Sequence, residues 1–160
     1  AAGVFVVLDD QLVFPYMGTS GIAPSGHRGM YTGGSIGLAT LRRDGFASMD
    51  GPGDLTTRPV KFKGKHLFVN VNGEVRVDVL DEAGQVLANS KVVSGDHTKI
   101  RVDLPELSAL VGKSVRFRFH LTQGSLYAFW VTGDENGSSG GYVGAGGPGY
   151  DGVRDLPHAP

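Results

Sequence analysis

The sequence predicts an all-β protein, an antiparallel, jelly-roll-like β-sandwich with very little helix, and three observations carry that prediction. Wherever apolar residues recur with a period, the period is two. Glycine supplies 26 of the 160 residues, roughly twice its usual share of about 7%, which favours tight turns and opposes long helices. Helix formers run together without a glycine only in PELSALV, Pro105 to Val111, enough for a turn or two.

Taken in order, residues 1–34 read as an N-terminal hairpin and a glycine-rich connector. VFVVL and QLVFPY flank an Asp9-Asp10 turn, and GTSGIAPSGHRGMYTGG follows. Residues 35–131 read as the sandwich core, opening with SIGLATLRR. In GEVRVDVL, Val75, Val77 and Val79 face one way and Glu74, Arg76 and Asp78 the other. The same alternation sets Ile100, Val102 and Leu104 against Lys99, Arg101 and Asp103, and Val115, Phe117, Phe119 and Leu121 against Arg116, Arg118 and His120. Each is a strand with one dry and one wet face. HLFVNV (66–71), VLANSKVV (86–93) and LYAFWV (126–131) complete the set. DEAGQ (81–85), SGDH (94–97) and TQGS (122–125) read as hairpin connections, because Gly, Asp and Ser suit tight turns. Residues 132–160 hold nine glycines and no apolar run. They read as an irregular tail, packed only where Tyr142, Val143 and Tyr150 find contacts.

Composition excludes several functions. Fifteen basic against sixteen acidic residues give a net charge of −1, so no field draws the chain to nucleic acid. The absence of cysteine removes disulfides, thiolate metal sites and a cysteine nucleophile. No apolar run approaches a transmembrane helix, so membrane insertion is not expected. GVFVVL (3–8) is too short for a signal h-region, and the chain reads as mature or excised.

The residues that can carry chemistry are scattered. His27, His66, His97, His120 and His158 are each more than twenty residues apart, so no local metal pair forms. His120, on the charged face of its strand, is the best candidate for a binding or sensing residue. Asp134, Asn136 and Ser138 begin a calcium-loop spacing, making calcium the one cofactor to consider. The pattern then fails, with Ser139 at the glycine position and Ala145 where a Glu is needed. GTSG (18–21) lacks the order of a nucleophile elbow. Lys61, Lys63 and Lys65 read as a solvated edge that discourages sheet pairing. Cross-strand pairing with arginine accounts for Glu74, Asp78 and Asp103 without a glycosidase carboxylate pair.

LYAFWV breaks the alternation. Leu126, Ala128 and Trp130 point one way, and Tyr127, Phe129 and Val131 the other, so both faces are apolar. Such a strand is either central and covered on both sides or an aromatic platform for a sugar ring. In the second case Trp130, Tyr127 and Phe129 are the candidate carbohydrate-binding residues, with Arg42, Arg43 and His120 for the hydroxyls. In LRRDGF, Arg42 and Arg43 point to opposite faces of their strand and cannot act as one fork. One is expected to pair with Asp44 or Asp50, while Gly45 turns the chain and Phe46 anchors it.

LATLRRDGFASMD, TTRPVKFKGKHLFVNVNGEVRVDVLD, the GDHT turn and LVGKSVRFRFHLTQGSLYAFWV together resemble the C-terminal β-sandwich of bacterial proteins similar to glycoside hydrolase family 32, in which a five-bladed propeller precedes the sandwich. The likeness covers roughly residues 36–131. Residues 3–34, with PYMGTS, resemble the outgoing edge of the last blade. The resemblance implies that the catalytic propeller and its carboxylates lie outside this chain, so no catalytic residue is assigned. It further implies a non-catalytic carbohydrate-binding or accessory module of a secreted or periplasmic glycan-active protein, with a polysaccharide or oligosaccharide and a propeller as partners. A structural or assembly domain, clamping the propeller or self-associating by strand addition, is the alternative, and a small glycoside hydrolase the more distant one.

Overall fold

A computed structural model describes residues 4–157; His158 lies outside them. The protein is all-β and antiparallel, with one six-residue 3-10 helix among the described residues. The chain divides into two compact units.

The first unit comprises residues 4–43 and 141–155. Strands β1 (Val6–Leu8), β2 (Gln11–Thr19) and β3 (Gly34–Arg42) form a three-stranded sheet in that order. Asp9 makes the expected β1–β2 turn at φ 50°, a conformation that aspartate tolerates better than most residues. Val7, Leu12 and Val143 are buried at the centre, with Phe5, Phe14, Leu41 and Tyr150 packed around them. The glycine-rich tail therefore joins this core. It lies along β1, where the Val7 amide donates to the Gly146 carbonyl (2.8 Å) and the Ala145 amide to Phe5 (2.9 Å). A Cβ at Gly147 would fall 1.8 Å from the Val7 carbonyl oxygen, so only glycine permits that approach. Val143 is buried as expected and Tyr150 half-buried. Tyr142 stays exposed, its ring edge-on to Phe5.

Residues 35–42, read from sequence as the first strand of the sandwich, pair instead with β2 from Gln11↔Arg42 to Thr19↔Gly34. The two strands are similarly apolar, and the hairpin gives both a neighbour.

The second unit comprises residues 44–140 and, among the described residues, 156–157. Its strands are β4 (Met49–Asp50), β5 (Gly53–Thr56), β6 (His66–Leu80), β7 (Val86–Asn89), β8 (Val93–Val102) and β9 (Arg116–Thr132). β6 and β9 pair along their whole lengths; β4 and β5 flank β9, and β7 and β8 flank β6. SGDH and TQGS are not hairpin connections, since β8 and β9 run straight through them. HLFVNV and GEVRVDVL likewise fuse into one strand, β6.

Glycine is the physical reason. Gly73 of β6 lies opposite Gly95 of β8 and Gly124 of β9, so three glycines form a row across the sheet. Their φ angles are 130°, 118° and 91°, values that side chains rarely adopt but that let a strand kink while its ladder continues. A Cβ at Gly124 would sit 1.9 Å from the Asn72 carbonyl oxygen, and one at Gly73 2.2 Å from that of Gln123. Bulges accompany the row on both sides.

The kinked sheet wraps one core. Leu67, Val69 and Val71 before the row and Val75, Val77 and Val79 after it belong to a single buried cluster with Val102, Val115, Phe117, Phe119 and Leu121. The period-two alternation thus assigned these faces correctly. The 3-10 helix, Pro105–Leu110, closes one side by burying Leu107 and Leu110. DEAGQ does turn the chain, the Asp81 amide donating to the Gln85 carbonyl and the Gln85 amide to the Asp81 carboxylate. VLANSKVV stops being a strand at Asn89. There the buried Ser90 hydroxyl accepts from the Val77 amide (2.9 Å) and donates to the Lys91 carbonyl (2.7 Å). Lys61, Lys63 and Lys65 are exposed, on a segment whose Val60 and Phe62 pack against the core.

Candidate functional site: the Tyr127–Phe129 groove

β9 does not keep a simple alternation through LYAFWV. Asn70 of β6 pairs with Ala128 and Val71 with Leu126, leaving Tyr127 as the extra residue of a bulge. The bulge turns Leu126 onto the same face as Phe129, the core face, instead of the face of Trp130 expected from sequence. Phe129 then packs on Phe119 (4.8 Å between centroids) and Phe117 (5.8 Å). Both Tyr127 and Phe129 remain half-buried.

They line an open groove of about 390 Å³ with Ala47, Ser48, Met49, Leu55, Leu126 and Ala128. Its walls are mainly apolar, and the hydroxyl of the lining Ser48 links them to Asp50 of β4. Asp50 Oδ1 accepts hydrogen bonds from the hydroxyls of Ser48 (2.8 Å) and Ser125 (2.7 Å). These two donors, Ser125 first, hold the Asp50 carboxyl below its ordinary value, so it stays an anion with a fixed orientation. Asp50 and Ser48 were missed as site residues because the sequence shows Asp50 only as part of an Asp-Gly turn. Their positions two apart on an extended segment were the available clue.

The other candidates lie elsewhere. Trp130 is on the opposite face, its indole stacked on Phe68 at 5.7 Å and 14°. Its Nε1–H donates to the Gly137 carbonyl (3.0 Å), which pins the loop after β9 over that face. The start of the glycine-rich tail thus covers this face of the doubly apolar strand. Gly137, at φ 81°, is required there, because a Cβ would fall 2.7 Å from the Phe68 ring.

Asp134 shapes the same loop. Its carboxylate accepts from the backbone amides of Ser138 (2.8 Å) and Asn136 (3.3 Å), and the bonds from Ser138 lower its pKa. No group of three or more His, Asp or Glu side chains that could hold a metal occurs among the described residues. Beside the loop, His66 is buried with neither ring nitrogen hydrogen-bonded, Nε2 lying 3.9 Å from Glu135 Oε1. Burial, followed by the positive charges of Arg101 and Lys65, lowers its pKa.

His120 is a clip. Its Nδ1 lies 2.7 Å from Asp54 Oδ1 on β5 and its Nε2 2.7 Å from Asp78 Oδ2 on β6, tying three strands together on their outer face. Asp78, expected on a wet face, is buried there and also bonded to Arg76.

Arg42 and Arg43 belong to the other compact unit. Arg43 bonds Asp155 (3.3 Å) and lies over the Tyr150 ring, a partner 112 residues away where Asp44 or Asp50 was expected. Asp44 itself takes the positive φ of the turn, 53°, and Phe46 is 67% exposed instead of anchoring it. Of the predicted binding residues, the groove gathers Tyr127 and Phe129.

Comparison with protein-family models, with curated proteins and with solved structures found no match for this chain.

Proposed function

We propose that the protein is a non-catalytic carbohydrate-binding or accessory β-sandwich module of a secreted or periplasmic glycan-active protein, and that the Tyr127–Phe129 groove receives the sugar. One observation carries the reading: half-buried aromatic rings line an open apolar groove together with Ser48, whose hydroxyl is bonded to an Asp50 carboxylate also held by Ser125. The apolar C–H face of a pyranose packs on aromatic carbon, while an oriented carboxylate accepts from its hydroxyls. Ser48 and Asp50 are bonded to each other, with no histidine in the groove lining to act as their base, so the arrangement suits holding a ligand better than cleaving one. The resemblance of residues 36–131 to the sandwich of family-32-like glycoside hydrolases supports the same reading and supplies the propeller as a neighbouring partner.

The test is calorimetric titration against a panel of oligosaccharides, with amide NMR shifts mapped for any ligand that binds. The expected shifts cluster at Ser48, Asp50, Tyr127 and Phe129. Tyr127→Ala should weaken binding about tenfold, equivalent to about 1.4 kcal/mol. Trp130 fluorescence is a poor reporter, because that ring is on the other face. If no glycan binds, or if the shifts map elsewhere, the groove is not a sugar site.

A further inference from the structure

The edges of the two sheets are treated differently. In the second unit, β4, β5 and β7 are two, four and four residues long, too short to template a new strand. The ten-residue β8 carries Asp96, Lys99 and Arg101. Short edges and charged edges both discourage pairing with another chain. In the first unit, β1 is covered by the tail through the Gly146 and Ala145 hydrogen bonds.

β3 has none of these protections. It is nine residues long, with no Pro or Lys and no charge from Gly34 to Leu41, and among the described residues β2 is its only strand neighbour. Its outward side chains are large and apolar: Ile36 is 82% and Leu38 67% exposed. On the same face the register adds Pro15, opposite Leu38, and Met17, opposite Ile36.

We propose that β3 pairs with β3 of a second copy of this chain, antiparallel about a two-fold axis, joining two three-stranded sheets into one of six. The second copy is the occupant because the edge is neutral, so juxtaposing it with itself opposes no like charges. A two-fold normal to the sheet also keeps equivalent faces on the same side, so the apolar patches of the two copies become continuous. The register follows from the sequence of the strand. Centring the axis on Gly37 sets Ile36 opposite the second copy's Leu38 and Leu38 opposite its Ile36, matching both large side chains at once. Centring it on Leu38 or Ile36 matches one of them only to itself and sets the other against Thr40 or Gly34. In the Gly37 register, Ser35 faces Ala39 of the other copy.

Sedimentation equilibrium of the full chain from micromolar to millimolar concentration tests the pairing, with a monomer–dimer equilibrium expected. Ile36→Lys/Leu38→Lys adds four charges across the two-fold and should weaken dimerisation at least tenfold. Both side chains point to solvent, so circular dichroism of the variant should be unchanged. The chain has no cysteine, which permits a register test by mixing Ser35→Cys with Ala39→Cys chains. Paired Cα atoms about 4.5–5.5 Å apart can be bridged, so the mixture should oxidise to a disulfide dimer faster than either variant alone. A chain that stays monomeric at millimolar concentration overturns the proposal. So does a dimer insensitive to the two lysines, or cysteines that cross-link no faster when mixed.

Discussion

Gly124→Ala probes the kink on which the second unit is built. The backbone at this position has φ 91°, and an alanine held there carries a conformational cost of about 1–2 kcal/mol. The new methyl also has no room: its carbon would lie 1.9 Å from the Asn72 carbonyl oxygen and 2.7 Å from the Gly73 Cα. Both are backbone atoms of the paired strand, so no side chain can swing aside. Relieving the overlap means shifting the β6–β9 ladder at its bend, a further cost of about 1–3 kcal/mol by comparison with overpacked cores. The total expected is about 2–5 kcal/mol. A chain of this size loses roughly 2–4 °C in Tm per kcal/mol. Gly84→Ala supplies the control, since Gly84 has nearly the same φ, 85°, and a Cβ there would meet nothing within 4 Å on the open DEAGQ turn. That variant should lose only the conformational cost of about 1–2 kcal/mol. Urea unfolding followed by circular dichroism and Trp130 fluorescence gives both values. Equal losses in the two variants would refute the claim that the close approach of β6 and β9 demands glycine.

Three further outcomes follow from the hydrogen-bond and burial pattern. His120→Ala removes the bridge between β5 and β6 and leaves one oxygen of the buried Asp78 without its histidine partner, so stability measured in urea should fall by about 1–3 kcal/mol. Trp130→Phe keeps the stack on Phe68 but loses the donor to Gly137; a cost of about 0.5–1.5 kcal/mol is expected, with faster amide exchange confined to residues 134–138. The folded pKa of His66 lies below the ordinary 6.5, so below that pH the unfolded chain binds the extra proton. The stability contributed by neutral His66 is then fully present above about pH 6.5 and is lost as pH falls through the lowered folded value. His66→Leu should flatten that part of the stability–pH curve, and an unchanged slope would show that other groups set it.

The all-β class was legible because period-two alternation reports directly which side chains are buried. Val75, Val77 and Val79, like Phe117, Phe119 and Leu121, lie on the core face as read, since that pattern is local and survives whatever the strand pairs with. The DEAGQ turn was legible for the same reason: its donors and acceptors are all within five residues. The groove was legible only in part. The unusual strand LYAFWV pointed to Tyr127 and Phe129, but the polar half of the site, Ser48 and Asp50, came from a strand two residues long and the residue before it.

The rest depended on partners distant in the chain. A glycine beside Asp or Ser serves a hairpin turn and an in-strand kink equally well, and only the neighbouring strand distinguishes them. Gly73, Gly95 and Gly124 became a row because β6 pairs with both β8 and β9. The bulge at Tyr127 exists only relative to β6, and it decides which aromatic rings share the core face. Arg43 met Asp155 because the tail folds back onto the N-terminal hairpin, a placement made possible by Gly147 and stabilised by burial of Val143. Local sequence determined which face of each strand is dry; the pairing of distant backbones decided where the strands end, where they bend and which side chains they bring together.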